Sequence, residues 1–317
     1  MKKISSFRLR RIGVAAALAV VFLSAKALPA DAFWQEPEPE LQEATKAADG
    51  QATPHMVADP AAAMLDAGFQ NLYELNFNGA RAEFLAYQKA HPDDPLGKAA
   101  EAASYLFEEF NDKGVLTSAF FLNDERFLGG IEGSPNENRN AAFLEANHQA
   151  HDIAKKAVKA NPRDVHGLLV LTMTDGMESN YSAFIEKKQM SALSSMRQAE
   201  SEANTLLKVD PSAMDAYVAL GMSNYVIGSL PSYKKMFLWF GGVHGDRNRG
   251  IEQMSQAAEE GHYLKPFAKV MLALAYEREK QPERAKPLLE ELSKLYPKNS
   301  VFAHELALVE DKICCKR

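Results

Sequence analysis

Two stretches of this 317-residue chain superpose at a single offset of 205 residues. The first carries Met64, Ala67, Gly68, Ala80, Phe84, Tyr87 and Pro92. The second carries Lys269, Leu272, Ala273, Tyr276, Ala285, Leu289, Leu292 and Pro297. Gly68 to Ala80, Ala80 to Phe84 and Ala80 to Pro92 are steps of 12, 4 and 12, and Ala273, Ala285, Leu289 and Pro297 repeat them. Each stretch reads as two amphipathic helices joined by a turn and stopped by a proline. A pair of short helices cannot bury its apolar stripe alone, so such units fold only by stacking. The register therefore predicts an all-α solenoid.

Between the two registered units, helix-ending prolines recur at Asn161-Pro162 and Asp210-Pro211. Small residues precede each one, Ala150, Ala154 and Ala157 before the first and Ala199 and Ala203 before the second. Small side chains there let the two helices of a pair approach closely. A further unit opens at Tyr217, Leu220 and Gly221 and closes at Gly250, Met254 and Ala257. The chain thus predicts an α-α superhelix over 61–313, with about five hairpins and a C-terminal capping helix from about Ser300 to Ile313. The stops are 70 residues apart from Pro92 to Pro162 and 49 from Pro162 to Pro211. A plain array repeats every ~34 residues. The excess predicts insertions at 111–135, 179–190 and 229–248, all between the two helices of a unit. Insertions at one point of successive repeats emerge on one edge, and that edge often binds.

The N-terminal segment reads as a signal peptide over 1–32. Lys2, Lys3, Arg8, Arg10 and Arg11 precede the apolar Ile12–Leu23, and both Ala30-Asp31-Ala32 and Ala25-Lys26-Ala27 fit a cleavage site. Export to a periplasm or cell envelope is the expectation. Residues 33–60, with Glu36-Pro37-Glu38-Pro39-Glu40, predict a flexible Pro/acidic linker. Removing 1–32 takes the formal charge from −6 to −11. A chain this acidic, without basic clusters, is a poor nucleic-acid binder. The only cysteines, Cys314 and Cys315, are adjacent near the end and close no long loop.

The insertions hold the candidate binding residues. The 229–248 stretch has Tyr233, then Met236-Phe237-Leu238-Trp239-Phe240, then a glycine-rich loop with His244 and Arg247. Burying five large apolar side chains is worth about 7–15 kcal/mol, so the run belongs either in a core or in an interface. A dock here would accept a partner, or peripheral membrane contact through 233–240. Phe120 and Phe121 in 111–135, and Tyr181 and Phe184 in 179–190, add aromatics to the same edge. They suit either a partner surface or a satellite core among the insertions. The loop Gly241–Gly250 lacks a preceding strand and a Gly-Lys-Ser/Thr, so it predicts a sharp return with Asp246 capping the next helix. His148 and His151 share one helix face but no third ligand is arranged with them, and no nucleophile–base constellation emerges. Catalytic, cofactor and metal sites are therefore not expected.

On the quoted register residues the chain resembles the tetratricopeptide family. From Gly245-Asp246-Arg247-Asn248-Arg249-Gly250-Ile251 to Tyr296-Pro297-Lys298-Asn299 it is also similar to bacterial exported proteins related to the tetratricopeptide-like Iml2 family of fungi. The resemblance implies a non-catalytic scaffold or adaptor. The reading of the whole chain is a binder of a protein or peptide, with affinity expected from the concave face and selectivity from the insertions. A glycan- or lipid-binding envelope protein using the same aromatics is the alternative.

Overall fold

The computed structural model describes residues 60–230, 232, 235 and 243–315. The signal-peptide and linker readings fall outside them, as do Tyr233, Phe237, Trp239 and Phe240. Among the described residues there are thirteen α-helices, one 3-10 turn and no strand.

The helices pair as hairpins. Helix α1 (Pro60–Tyr73) packs on α2 (Phe77–Ala90). Helix α3 (Leu96–Asp112) packs on α6 (Glu137–Ala160), with two short helices, α4 (Ser118–Phe121) and α5 (Asp124–Gly129), between them. Then come α7 (Val165–Phe184) with α8 (Gln189–Val209), and α9 (Tyr217–Ser229) with α10 (Arg247–Glu260). The last pair is α11 (Lys265–Arg278) with α12 (Pro282–Leu295), and α13 (Ser300–Cys314) packs against α12 as the final helix. The architecture is an all-helical solenoid. No described helix is long and apolar enough to cross a membrane.

Local chemistry sets the boundaries. Helices α2, α6, α8 and α12 all end one residue before His91, Asn161, Asp210 or Tyr296, each of which precedes a proline. A residue before proline is pushed out of the helical region, which stops the helix there. Starts are capped by side-chain oxygens: Asn136 accepts from Arg139 N, Asp164 from Gly167 N, Asp246 from Asn248 N and Arg249 N. The step from Gly68 to Phe84 has a steric cause. A Cβ on Gly68 would lie 2.3 Å from the Phe84 ring, which is fully buried. Glycines also bring α9 and α10 together, since a Cβ on Gly250 would lie 2.5 Å from the backbone nitrogen of Tyr225. Gly245 and Gly250 thus serve close helix approach, with Asp246 as the cap.

The extra length in 179–190 is helical. Helix α7 runs on to Phe184 and α8 starts at Gln189, so the turn between them is short, with Lys187 at φ 60°. The 111–135 insertion forms α4 and α5 and returns through Gly130, whose φ of 76° favours glycine. Ile131 N then donates to Phe184 O at 2.8 Å, tying this insertion to the end of α7.

An open solenoid has contacts only between neighbouring repeats. Here the first hairpin meets the last. The Tyr73 hydroxyl donates to Tyr263 O at 2.9 Å, and the Phe69 and Tyr263 rings stack at 4.8 Å. Asn299 Nδ2 donates to Tyr73 O at 2.8 Å, Tyr73 and Tyr296 lie 5.5 Å apart, and Lys298 pairs with Glu74 at 2.7 Å. On the inner face, Phe107 of α3 meets Phe267 of α11 at 5.5 Å. The junction leaves a void of only about 30 Å³. Helices α3, α7 and α11 are buried on nearly every side. The inner helices are therefore packed on one another through the protein's own aromatics, on the face from which binding affinity was expected.

One buried carboxylate holds the turn at the seam. Asp215 follows α8 and accepts from the backbone nitrogens of His262, Tyr263 and Leu264 at 2.8, 3.0 and 3.2 Å. It thereby orders the start of α11 and presents Tyr263 to α1.

Candidate binding site on the insertion edge

The insertion helices rest on α7 and α11 through an aromatic cluster. Phe120 packs against Phe121, Phe127 and Phe184 at 6.0, 6.5 and 5.4 Å, and Phe184 reaches Phe110 at 5.9 Å. Edge-on pairs of this kind add to the value of simple burial. Arg278, at the end of α11, locks the cluster in place. Its Nη1 donates to Phe121 O at 2.6 Å, its Nη2 meets Asp124, and its guanidinium sits 5.8 Å from the Phe127 ring centre.

Beside this cluster lies a cleft of about 140 Å³, walled by α4–α5, α9 and α11. Phe121, Phe127 and Leu128 form one wall, Met222 and Val226 another, and Met271 and Leu274 the floor. Polar groups are few. Tyr225 donates its hydroxyl to Ala275 O or Glu279 Oε1, both at 3.3 Å, and burial followed by the Glu279 charge pushes its pKa up to about 12. Asp124 and Arg278 stand at the mouth, their side chains 70 % and 26 % exposed. A mainly apolar concavity with a few convergent polar groups is the usual form of a ligand site.

The structure divides the predicted contact residues. Phe120, Tyr181 and Phe184 are buried. Tyr181 packs at a tilt against Phe143, ring centres 5.2 Å apart, and accepts from Asn140 Nδ2 at 3.1 Å. These three belong to the satellite core, so a partner surface made of them is corrected: reaching them means opening the fold. Phe121 is half-buried and lines the cleft. His244 and Arg247 are exposed at the start of α10, where Arg247 pairs with Glu279 at 3.2 Å. Arg278, Asp124, Met222 and Leu274 were not singled out from the sequence. For Leu274 and Arg278 the signal was the apolar stretch Val270–Tyr276 closed by Glu277 and Arg278.

A second polar cluster lies where α6, α7 and α8 meet. His151 Nε2 is 4.0 Å from Asp175 Oδ1, and Asn147 Nδ2 donates to Thr174 O at 3.3 Å. Burial, then the charges of Glu202 and Glu178, push Asp175 up to about 7. Burial holds His151 below its ordinary value. Among the described residues no group of three or more His, Cys, Asp or Glu is placed to hold a metal ion.

No protein-family model matches the chain. No curated protein matches it either. Among solved structures, a thermophilic TPR protein from Thermus thermophilus matches with a TM-score of 0.42 and 16% identity, over 78% of this chain and 98% of that one. A likeness at that level establishes neither family nor function.

Proposed function

We propose that this chain is a non-catalytic, exported scaffold that binds a protein or peptide in the periplasm or cell envelope through its insertion edge. The observation that carries the reading is the closed seam. With the inner row of helices packed on itself through Tyr73, Phe107, Tyr263 and Phe267, binding through a concave groove is unsupported. The exposed polar rim of α10, with His244 and Arg247, adjoins the sequence run Met236–Phe240, the most apolar part of the insertions. Aromatic and arginine residues together are the usual anchors of protein interfaces. The export reading rests on residues 1–32, and the kinship with exported Iml2-related proteins on the Gly245–Ile251 and Tyr296–Asn299 motifs.

Affinity capture from the native envelope tests this, comparing wild type with the double variant Trp239→Ala/Phe240→Ala. The reading expects specific proteins retained by wild type and lost from a variant with unchanged thermal unfolding. An unchanged captured set from a folded variant would contradict it.

A further inference from the structure

We infer that the cleft between α4–α5, α9 and α11 is a binding site for a medium-chain alkyl carboxylate, its hydrocarbon tail on Met271 and Leu274 and its carboxylate on Arg278. This does not rest on the partner reading, since it concerns the interior of the cleft.

Size comes first. An apolar protein cavity of about 150 Å³ stays dry and takes up benzene, so a cleft of about 140 Å³ accepts roughly six carbons. The lining suits a flexible chain. Met222 and Met271 face the space, and thioether side chains re-pack around ligands of differing shape. The polar groups are gathered at one end. Leu274, Ala275 and Met271 on the floor are buried, whereas Arg278 and Asp124 at the mouth reach solvent. An amphiphile with one polar end matches that polarity; a uniformly polar ligand does not.

The head is selected by charge. Arg278 offers a planar fork of donors, the geometry that grips a carboxylate through two hydrogen bonds. One branch is fixed to Phe121 O, and the other meets Asp124. That carboxylate is 70 % exposed, and ion pairs this open to water contribute little, about 0–1 kcal/mol. Asp124 is thus a replaceable stand-in for a ligand carboxylate, and its departure leaves a half-buried cation facing the cleft.

Calorimetric titration of the full chain with octanoate, and separately with 1-octanol, tests the assignment. Expected are saturable one-to-one binding of octanoate and a weaker response to 1-octanol. Asp124→Asn removes the competing charge at an exposed position and is expected to tighten octanoate at least threefold without changing 1-octanol. Met222→Trp fills the cleft from its half-buried wall and is expected to weaken both at least tenfold. Absence of saturable octanoate binding would overturn the proposal. So would an Asp124→Asn variant that binds octanoate as wild type does, or a folded Met222→Trp variant with undiminished affinity.

Discussion

The first and last hairpins share their sequence register but not their surroundings. In α1 the apolar residues form one stripe, with Leu65, Gly68, Phe69, Leu72 and Tyr73 buried and Ala63 and Ala67 exposed. The positions 205 residues later, Ala268 and Leu272, are buried, and from Met271 to Glu277 no residue of α11 is left outside. The register fixes how a helix meets its own partner, which is the same in both units. It leaves open what lies on the far side. For α1 that is partly water. For α11 it is the N-terminal half of the protein, namely Phe107, the α4 turn and, through Tyr263, α1 itself. Closure of the stack is thus an asymmetry between two units of the same pattern.

The sharpest way to break this comparison is one substitution at matched positions. Ala268→Glu places a charge at a fully buried position of α11 and is expected to cost more than about 4 kcal/mol, enough to unfold a marginal protein. Ala63→Glu is expected to stay within about 0.5 kcal/mol. Denaturant midpoints of the two variants measure the difference, and equal midpoints would erase it. Next in size is Asp215→Ala, which strips three backbone N–H groups of their shared buried acceptor. About 3 kcal/mol is expected, with roughly half recovered by Asp215→Asn.

A control away from the seam is Asp175. Its folded-state pKa is raised from 3.8 to about 7, so the fold favours the protonated acid. That contribution is fully present below pH 4 and disappears as pH rises through about 7. Asp175→Asn is therefore expected to be near neutral at pH 4 and to stabilise by about 2 kcal/mol at pH 8, allowing for partial hydration of the site. Thermal unfolding of both proteins across that range reads it directly. The smallest effects belong to single seam contacts. Tyr73→Phe deletes one hydrogen bond and is expected to cost about 1 kcal/mol. Lys298→Ala removes a surface pair with Glu74 and is expected to cost less than about 0.5 kcal/mol.

Much of the fold was legible because its signals are local. Prolines at 92, 162, 211 and 297 mark the ends of four outer helices, and the Gly68–Phe84 spacing is the footprint of a ring against a missing side chain. Closure was not legible, because it depends on pairs such as Tyr73 with Tyr263 that lie 190 residues apart. A cue was present all the same: Val270–Tyr276 of α11 are seven consecutive apolar residues, enough to cover the helix circumference there, and a helix segment of that kind is buried on all sides. The proline spacing predicts an insertion at 179–190 but not its conformation, because distances between prolines count residues only. Its residues lengthen α7 and α8. Of the edge aromatics, Phe120, Phe121 and Phe184 meet in one cluster, yet Phe120, Tyr181 and Phe184 stabilise the edge from inside, and the cleft is lined as well by Met222, Leu274 and Arg278 from helices that read as ordinary repeat. Asp215 was visible only as an acid after a helix stop, since its acceptor role lies across 47 residues of chain.

Closure is tested most directly by one distance. Asp66 of α1 and His262 before α11 are both exposed, with side chains 3.0 Å apart. Spin labels at these two positions, with Cys314 and Cys315 replaced by serine, report that separation by pulsed electron resonance. The closed seam predicts a single narrow distribution at short distance. A broad distribution centred near roughly 40 Å, the span of an open stack at 8–10 Å per packed hairpin, would contradict it.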